Sequence, residues 1–177
     1  MGKSRYHHGN VREHLVQAAL EALTTLPPEA LSLRGLARSI GVSATATYRH
    51  FPGKSDLLHE LAMIGCTMLS KQLAQSGGRL SDLGKSYIGF AVNHPNLFSL
   101  MHCAGFPARN GMGDCAAQVR LVTKADDESD PADDRPALAA WALARGLAAL
   151  TLAGQLSIAD AEAILCSYAT NFDSGAP

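Results

Sequence analysis

"GVSATATYRHFPGKSDLL", residues Gly41 to Leu58, runs from a Gly-Val-Ser turn through small residues into Tyr-Arg-His-Phe, Pro-Gly and a fresh helix start. Ser43 is a good N-cap for a helix from Ala44 to about His50, because its hydroxyl can satisfy an orphan N–H of the first turn. Pro52-Gly53 then forces a turn, and Lys54-Ser55-Asp56 opens a longer helix to about Gln75. Upstream, Ser32 caps a short helix carrying Leu33, Leu36, Ala37 and Ile40, which Gly41 closes. Two short helices joined by a tight glycine turn form a helix-turn-helix. The second helix of that motif enters the major groove with its N-terminal residues at the base edges. Bulk would hold it off the groove floor, so Ala44, Thr45 and Ala46 suit the position. Tyr48 and His50 can donate to phosphate, and Arg49 can reach phosphate or guanine. Lys54 and the free N–H groups of the next helix start offer another phosphate site. The competing reading is a small helical core in which Ala and Thr merely pack.

Working outward, Val11, Leu15, Ala18 and Ala22 recur at helical spacing from Asn10 to about Thr25, and Pro27-Pro28 stops that helix. Three short helices and a long fourth therefore fill the chain up to Gly77-Gly78. Beyond it, one helix fits Ser81–Asn93 and a shorter one starts at Pro95. "CAGFPARNGMGD" reads as a loop, a helix of about three turns follows, and "KADDESDPADD" is an acidic solvated connection. "RPALAAWALARGLAALTLAGQ" is apolar on nearly every side, so one face needs a partner beyond its own core. Ser157 to Phe172 spaces Ile158, Ala161, Leu165, Tyr168 and Phe172 three and four apart, a coiled-coil-like seam. With Leu143, Leu147 and Leu150 on the preceding helix, these predict a helical interface between two copies. The fold class is all-α, divided into a flexible basic arm (1–9), a helix-turn-helix domain (10–60) and a regulatory and dimerisation domain (61–177).

Composition narrows the function classes. The 177 residues are 47% hydrophobic but only 6% aromatic, so the core rests on Leu, Ala, Ile and Val. A net charge of −1 does not by itself advertise a nucleic-acid partner. Base is nonetheless in slight excess over acid in the first sixty residues, with acid in excess after them, which makes the N-terminal third the anion-facing part. No run reaches the ~18 apolar residues of a membrane span, and no signal-peptide pattern opens the chain. Cys66, Cys103, Cys115 and Cys166 are scattered without a Cys-x-x-Cys pair, which predicts reduced thiols and a cytoplasmic protein. No phosphate loop, nucleophile elbow or paired-carboxylate helix is present, so no enzyme, cofactor or metal is expected.

"YHHGNVREHLVQAALEAL" and "LSLRGLARSIGVSATATYRHFPGKSDLLHELA" together resemble the N-terminal DNA-binding domain of TetR-family transcriptional regulators. The resemblance covers about residues 6 to 62 without an insertion. "YIGFAVNHPNLFSLM" and "AWALARGLAALTLAGQL" are similar to the C-terminal regulatory domain of a subset marked by a Trp…His-Gly signature. Two positions depart from the pattern. Arg145 stands before Gly146 where that His is expected, and Thr47 replaces the Leu or Pro that often packs beneath the recognition helix.

The resemblance implies a cytoplasmic homodimer that binds a near-palindromic operator, with repression as the usual mode, and is released by a small-molecule effector. Carried over, Ser32, Ser43, Tyr48, His50 and Lys54 contact phosphates, while Arg34, Ala44, Thr45, Ala46 and Arg49 lie toward bases. Arg5, His7 and His8 reach the adjacent minor groove or backbone. The expected pocket lies among the helices from about Ser81 to Leu152, lined by Met63, Tyr87, Phe90, Phe98, Met101, His102 and Trp141. Few of these carry charge, so the expected effector is small and apolar or aromatic. Two alternatives stay open: a redox- or metal-responsive regulator using His102, Cys103 and Cys115, and a DNA-binding dimer with no effector.

Overall fold

The computed structural model describes residues 11–77, 79–102 and 135–173, and in the last of these segments the side chains of 139–170. The expected arm, the loop and helix after His102 and the acidic connection fall outside the described residues. Eight α-helices and one 3-10 turn, with no strand, make up the described residues. They are α1 (Val11–Ala22), the 3-10 turn (Pro28–Ala30), α2 (Leu33–Ser39), α3 (Ala44–Tyr48), α4 (Lys54–Ala74), α5 (Leu80–Asn93), α6 (Pro95–Met101), α7 (Arg135–Leu152) and α8 (Ile158–Asp173). None of them is long and apolar enough to cross a membrane.

Helices α1, α2, α3 and the start of α4 pack on one another around Leu15, Leu36, Phe51, Leu57 and Leu61. The helical periods read from the sequence are the reason: each apolar stripe turns inward and its polar flank outward. Arg12 ties α1 to α4 by an ion pair with Glu60 and to the turn before α4 by a guanidinium 5.2 Å from the centre of the Phe51 ring. The expected boundary at residue 60 falls inside α4, a continuous helix of 21 residues that belongs to both halves.

In the second half α5 is the hub, packed against α4, α6, α7 and α8. Its glycines set how closely neighbours approach. A methyl group added at Gly84 would overlap the end of Leu165 on α8. On the other side of the bundle, one added at Gly65 of α4 would lie 2.7 Å from the Met101 sulfur on α6. Gly84→Ala is therefore expected to destabilise the protein by about 1–3 kcal/mol, the usual cost of overpacking a filled core. Thermal unfolding measures it, and an unchanged Tm would mean that α8 is free to give way. Gly154, at φ +69°, closes α7 in the left-handed conformation that glycine tolerates best. Ser157 then starts α8, its hydroxyl accepting from the Asp160 N–H at 3.1 Å and donating to the Asp160 carboxylate at 2.6 Å.

Two expectations need correcting here. The seam on α8 is largely the subunit's own: Ala161, Leu165 and Ala169 are buried, as is Leu147 on α7. A three-four repeat records that a stripe is covered but not by which chain, and here α5 and α7 cover it. Among the described side chains of α7 and α8, the large apolar ones left in solvent are Leu150, Leu152, Ile158 and Ile164. Leu143 and Tyr168 are half-buried, and the Phe172 side chain lies outside the described residues. The second correction concerns the thiols. Cys166 is free, but Cys66, buried on α4, is disulfide-bonded. Helix packing rather than chain spacing decides which thiols meet, so scattered cysteines could not announce the pairing.

Candidate nucleic-acid interface

Local chemistry builds the α2–α3 corner. The Ser32 hydroxyl accepts from the Gly35 N–H at 3.4 Å and starts α2. Gly41, at φ +72°, takes the left-handed turn, and the Val42 N–H returns to the Ala37 carbonyl at 2.9 Å. The Ser43 hydroxyl accepts from the Ala46 N–H at 3.2 Å and starts α3. Only one side chain of α3 is buried, Thr47, whose exposure is 0%. It stands at the position where Leu or Pro was the expected packing residue. Its side chain is nonetheless fully buried there, and its hydroxyl donates to the Ser43 carbonyl at 3.4 Å.

With Thr47 anchored, the rest of α3 stands clear. Ser43, Thr45, Tyr48, Arg49 and His50 are exposed, and Ala44 and Ala46 are half-buried. Ser32 and Arg34 of α2 are exposed beside them. The expected contact residues on α2 and α3 are thus open to solvent or half-buried, Lys54 is half-buried, and Arg5, His7 and His8 lie outside the described residues. Arg38, exposed in the last turn of α2, is a further base there that the sequence reading passed over. Ser32 and Ser43 do act as helix caps, and each hydroxyl keeps further hydrogen-bonding capacity for a phosphate oxygen.

Lys54 is placed differently from its expected role. Its ammonium donates to the Glu29 carbonyl at 2.6 Å and so ties the α3–α4 turn to the 3-10 turn. The same turn is fixed by the Asp56 carboxylate, which accepts from the Gly53 N–H at 2.8 Å. Two of the three ammonium protons of Lys54 remain for an anion. Next to it, a cleft of about 740 Å³ runs past Glu29, Phe51 and Leu58 and holds the Arg12–Glu60 pair. None of the expected effector-pocket residues lines this cleft.

Those residues divide in the structure. Tyr87, Phe98 and His102 form one aromatic stack, with Tyr87 edge-on to Phe98 at 5.5 Å and Phe98 tilted against His102 at 4.3 Å. The Tyr87 hydroxyl meets His102 Nε2 at 3.1 Å, and His102 Nδ1 meets the Phe98 carbonyl at 2.8 Å. Burial raises the Tyr87 hydroxyl above its ordinary range, with the charge of Arg145 pulling the other way. Burial also holds the His102 imidazole below its usual value, opposed by the Phe98 hydrogen bond and reinforced by Arg145. Trp141 joins the group through Arg145, whose guanidinium lies 5.3 Å from the indole centre. Phe90 and Met101 are buried elsewhere in the core, Phe90 against His94, and Met63 is half-buried on α4.

The redox and metal alternatives fare unevenly. Both ring nitrogens of His102 are engaged, and the described residues contain no cluster of three or more metal-binding side chains. Cys103 and Cys115 lie outside the described residues.

Comparison with known proteins fits this geometry. Residues 15–61 match the model for bacterial regulatory proteins of the tetR family. Nucleoid occlusion factor SlmA from Marinobacter nauticus is 30% identical over 93 residues, which is 49% of this chain and 48% of that protein. The chain therefore matches about half the length of this curated relative. A solved protein of unknown function from Rhodococcus sp. RHA1 is 32% identical, with 98% of each chain covered and a TM-score of 0.77. A tetR-family transcriptional regulator from Streptomyces coelicolor shares the fold, with a TM-score of 0.65 at 24% identity over 93% of this chain and 83% of its own.

Proposed function

From the match of residues 15–61 to the model for bacterial regulatory proteins of the tetR family, we propose that the chain is a DNA-binding transcriptional regulator. In this reading it acts as a cytoplasmic homodimer on a near-palindromic operator, represses, and is released by a small molecule. The observation that carries it is the corner of α2 and α3: a five-residue helix held by buried Thr47, with Thr45, Tyr48, Arg49, His50 and the neighbouring Arg34 exposed. A helix so short contributes little to its own core, and its cleared outer face suits a groove floor. Selection of bound duplexes from random DNA tests the reading. A palindrome with half-sites about one helical turn apart is expected, and failure to enrich any sequence would sink it.

Two subunits would meet through α7 and α8. Leu150 and Ile164 are 42% and 45% exposed, and beside Leu150 on α7 the small residues Ala142, Gly146 and Ala149 leave an open face. Such a face suits a four-helix bundle across a two-fold axis.

The effector would act through α4. That helix begins at the α3 turn and packs on α6 where Met101 lies against Gly65. Asn96 of α6 also donates to the Leu23 carbonyl at 2.9 Å, joining the second half to the end of α1. Movement of α6 would therefore shift the DNA-facing corner instead of being absorbed by a linker. A ligand that lowers DNA affinity must then bind the DNA complex less well by the same factor.

Phosphate contacts can be separated from base contacts by salt. Lys54→Ala is expected to weaken binding to all duplexes and to reduce the salt slope by about 1. Tyr48→Phe should weaken binding on all duplexes without changing the slope, because it removes a hydroxyl and no charge. Measuring affinity across a salt series checks both. Unchanged affinity in both variants would turn this corner away from the DNA.

A further inference from the structure

Trp141 carries an indole donor, and Arg145 a charge, for which the described residues offer no acceptor or carboxylate. The Trp141 indole Nε1 is buried without a hydrogen-bond acceptor. A buried donor left unmet costs free energy comparable to a lost hydrogen bond, and such groups are few in native proteins. One turn further along α7, half-buried Arg145 lays its guanidinium over the same indole ring. It has no carboxylate partner among the described residues.

The neighbouring polar groups satisfy one another and leave nothing for Arg145. The Phe98 carbonyl is only an acceptor, so His102 Nδ1 carries the proton and donates to it. Nε2 of the neutral ring is then an acceptor, and it takes the Tyr87 hydroxyl proton. The pair is closed on itself, burial disfavours a charge on either member, and both feel the charge of Arg145. What remains is one positive charge and one indole N–H, both at the same indole on α7.

We propose that Arg145 and Trp141 recognise the anionic end of the effector, and that the effector is a monocarboxylate with an apolar or aromatic body. This rests on the sensor reading above and narrows its ligand class. The guanidinium fork matches a carboxylate in two parallel hydrogen bonds, and the indole N–H supplies a third donor. A single cation balances a single carboxylate. A phosphate monoester, at about −1.5 to −2 near neutral pH, would be left under-neutralised.

The test is calorimetric titration of the full-length protein with indole-3-acetate, 3-phenylpropanoate and octanoate, each against its primary amide, and with phenyl phosphate. At least one carboxylate is expected to bind, with its amide about tenfold weaker or worse. Arg145→Gln should weaken that carboxylate about tenfold and bring it level with its amide, and Arg145→Lys should restore part of the difference. Trp141→Phe, which keeps a ring and loses the N–H, should weaken it severalfold. Circular dichroism and Tm confirm that each variant is folded, and the acid-to-amide ratio in the wild type needs no variant at all. Equal binding of acid and amide overturns the proposal, as does carboxylate binding that Arg145→Gln leaves unchanged. Failure of all three carboxylates, or preference for phenyl phosphate, overturns it too. DNA release is read separately. A carboxylate that depends on Arg145 but leaves DNA bound supports the site and removes the regulatory reading.

Discussion

Leu165→Glu is expected to unfold the C-terminal helices, whereas Ile164→Glu, one position away, is expected to leave them folded and separate the subunits. Leu165 is fully buried on α8 against Gly84 of α5, where there is no room for even one added methyl group. A carboxylate there loses its hydration and gains no partner, so the cost exceeds the ~2–5 kcal/mol of simply truncating the leucine. That is a large share of the ~5–15 kcal/mol by which a domain is stable. Ile164 is 45% exposed on the other side of the helix. Substituting it leaves the subunit core intact and places two charges in the proposed bundle, near the two-fold axis. Circular dichroism should show lost helix for Leu165→Glu only. Sedimentation should show folded monomers for Ile164→Glu, with operator affinity lost because two half-sites need two subunits. A folded dimer in the Ile164→Glu protein would move the interface away from α7 and α8.

The contrast between these adjacent residues shows how far the sequence could be read. Apolar spacing located α1, α2, α4, α5 and the α8 stripe, because burial of a helix face imposes its period whatever lies opposite. Caps and breakers located the ends of the first helices: Ser32 and Ser43 start α2 and α3, and Gly41 closes α2, all through contacts within a few residues. Partners distant in the chain were not legible. Nothing near Leu165 announces Gly84, and nothing near Lys54 announces the Glu29 carbonyl. The same holds for the effector residues. Large soft side chains were gathered by type, and the structure brings Tyr87, Phe98 and His102 into one stack while placing Phe90 and Met101 in ordinary core. Arg145 was visible as a departure from a motif, but its position over Trp141 became readable only once α7 had folded.

Arg34→Ala is expected to alter which DNA is bound more than how tightly DNA as a whole is bound. Arg34 is exposed in the first turn of α2, beside the capping hydroxyl of Ser32 and on the same open corner as α3. On α3 itself, Ala44 and Ala46 have no hydrogen-bonding side chain and offer only apolar contact, typically to a thymine methyl. Thr47 is buried and faces the core. Hydrogen-bonded readout is thereby left chiefly to Arg34, Thr45 and Arg49. A guanidinium reaching both acceptors of a guanine discriminates against other bases by about 1–3 kcal/mol. Removing Arg34 should therefore flatten the preference at one base pair in each half-site by that amount and leave the remaining positions as they were. Affinities of wild type and variant for every single-base change in the selected operator measure this directly. A loss of the same size on every duplex, together with a salt slope lower by about 1, would instead assign Arg34 to the phosphates. The bases would then be read by Thr45 and Arg49, and the apolar face of α3 would carry the remaining specificity.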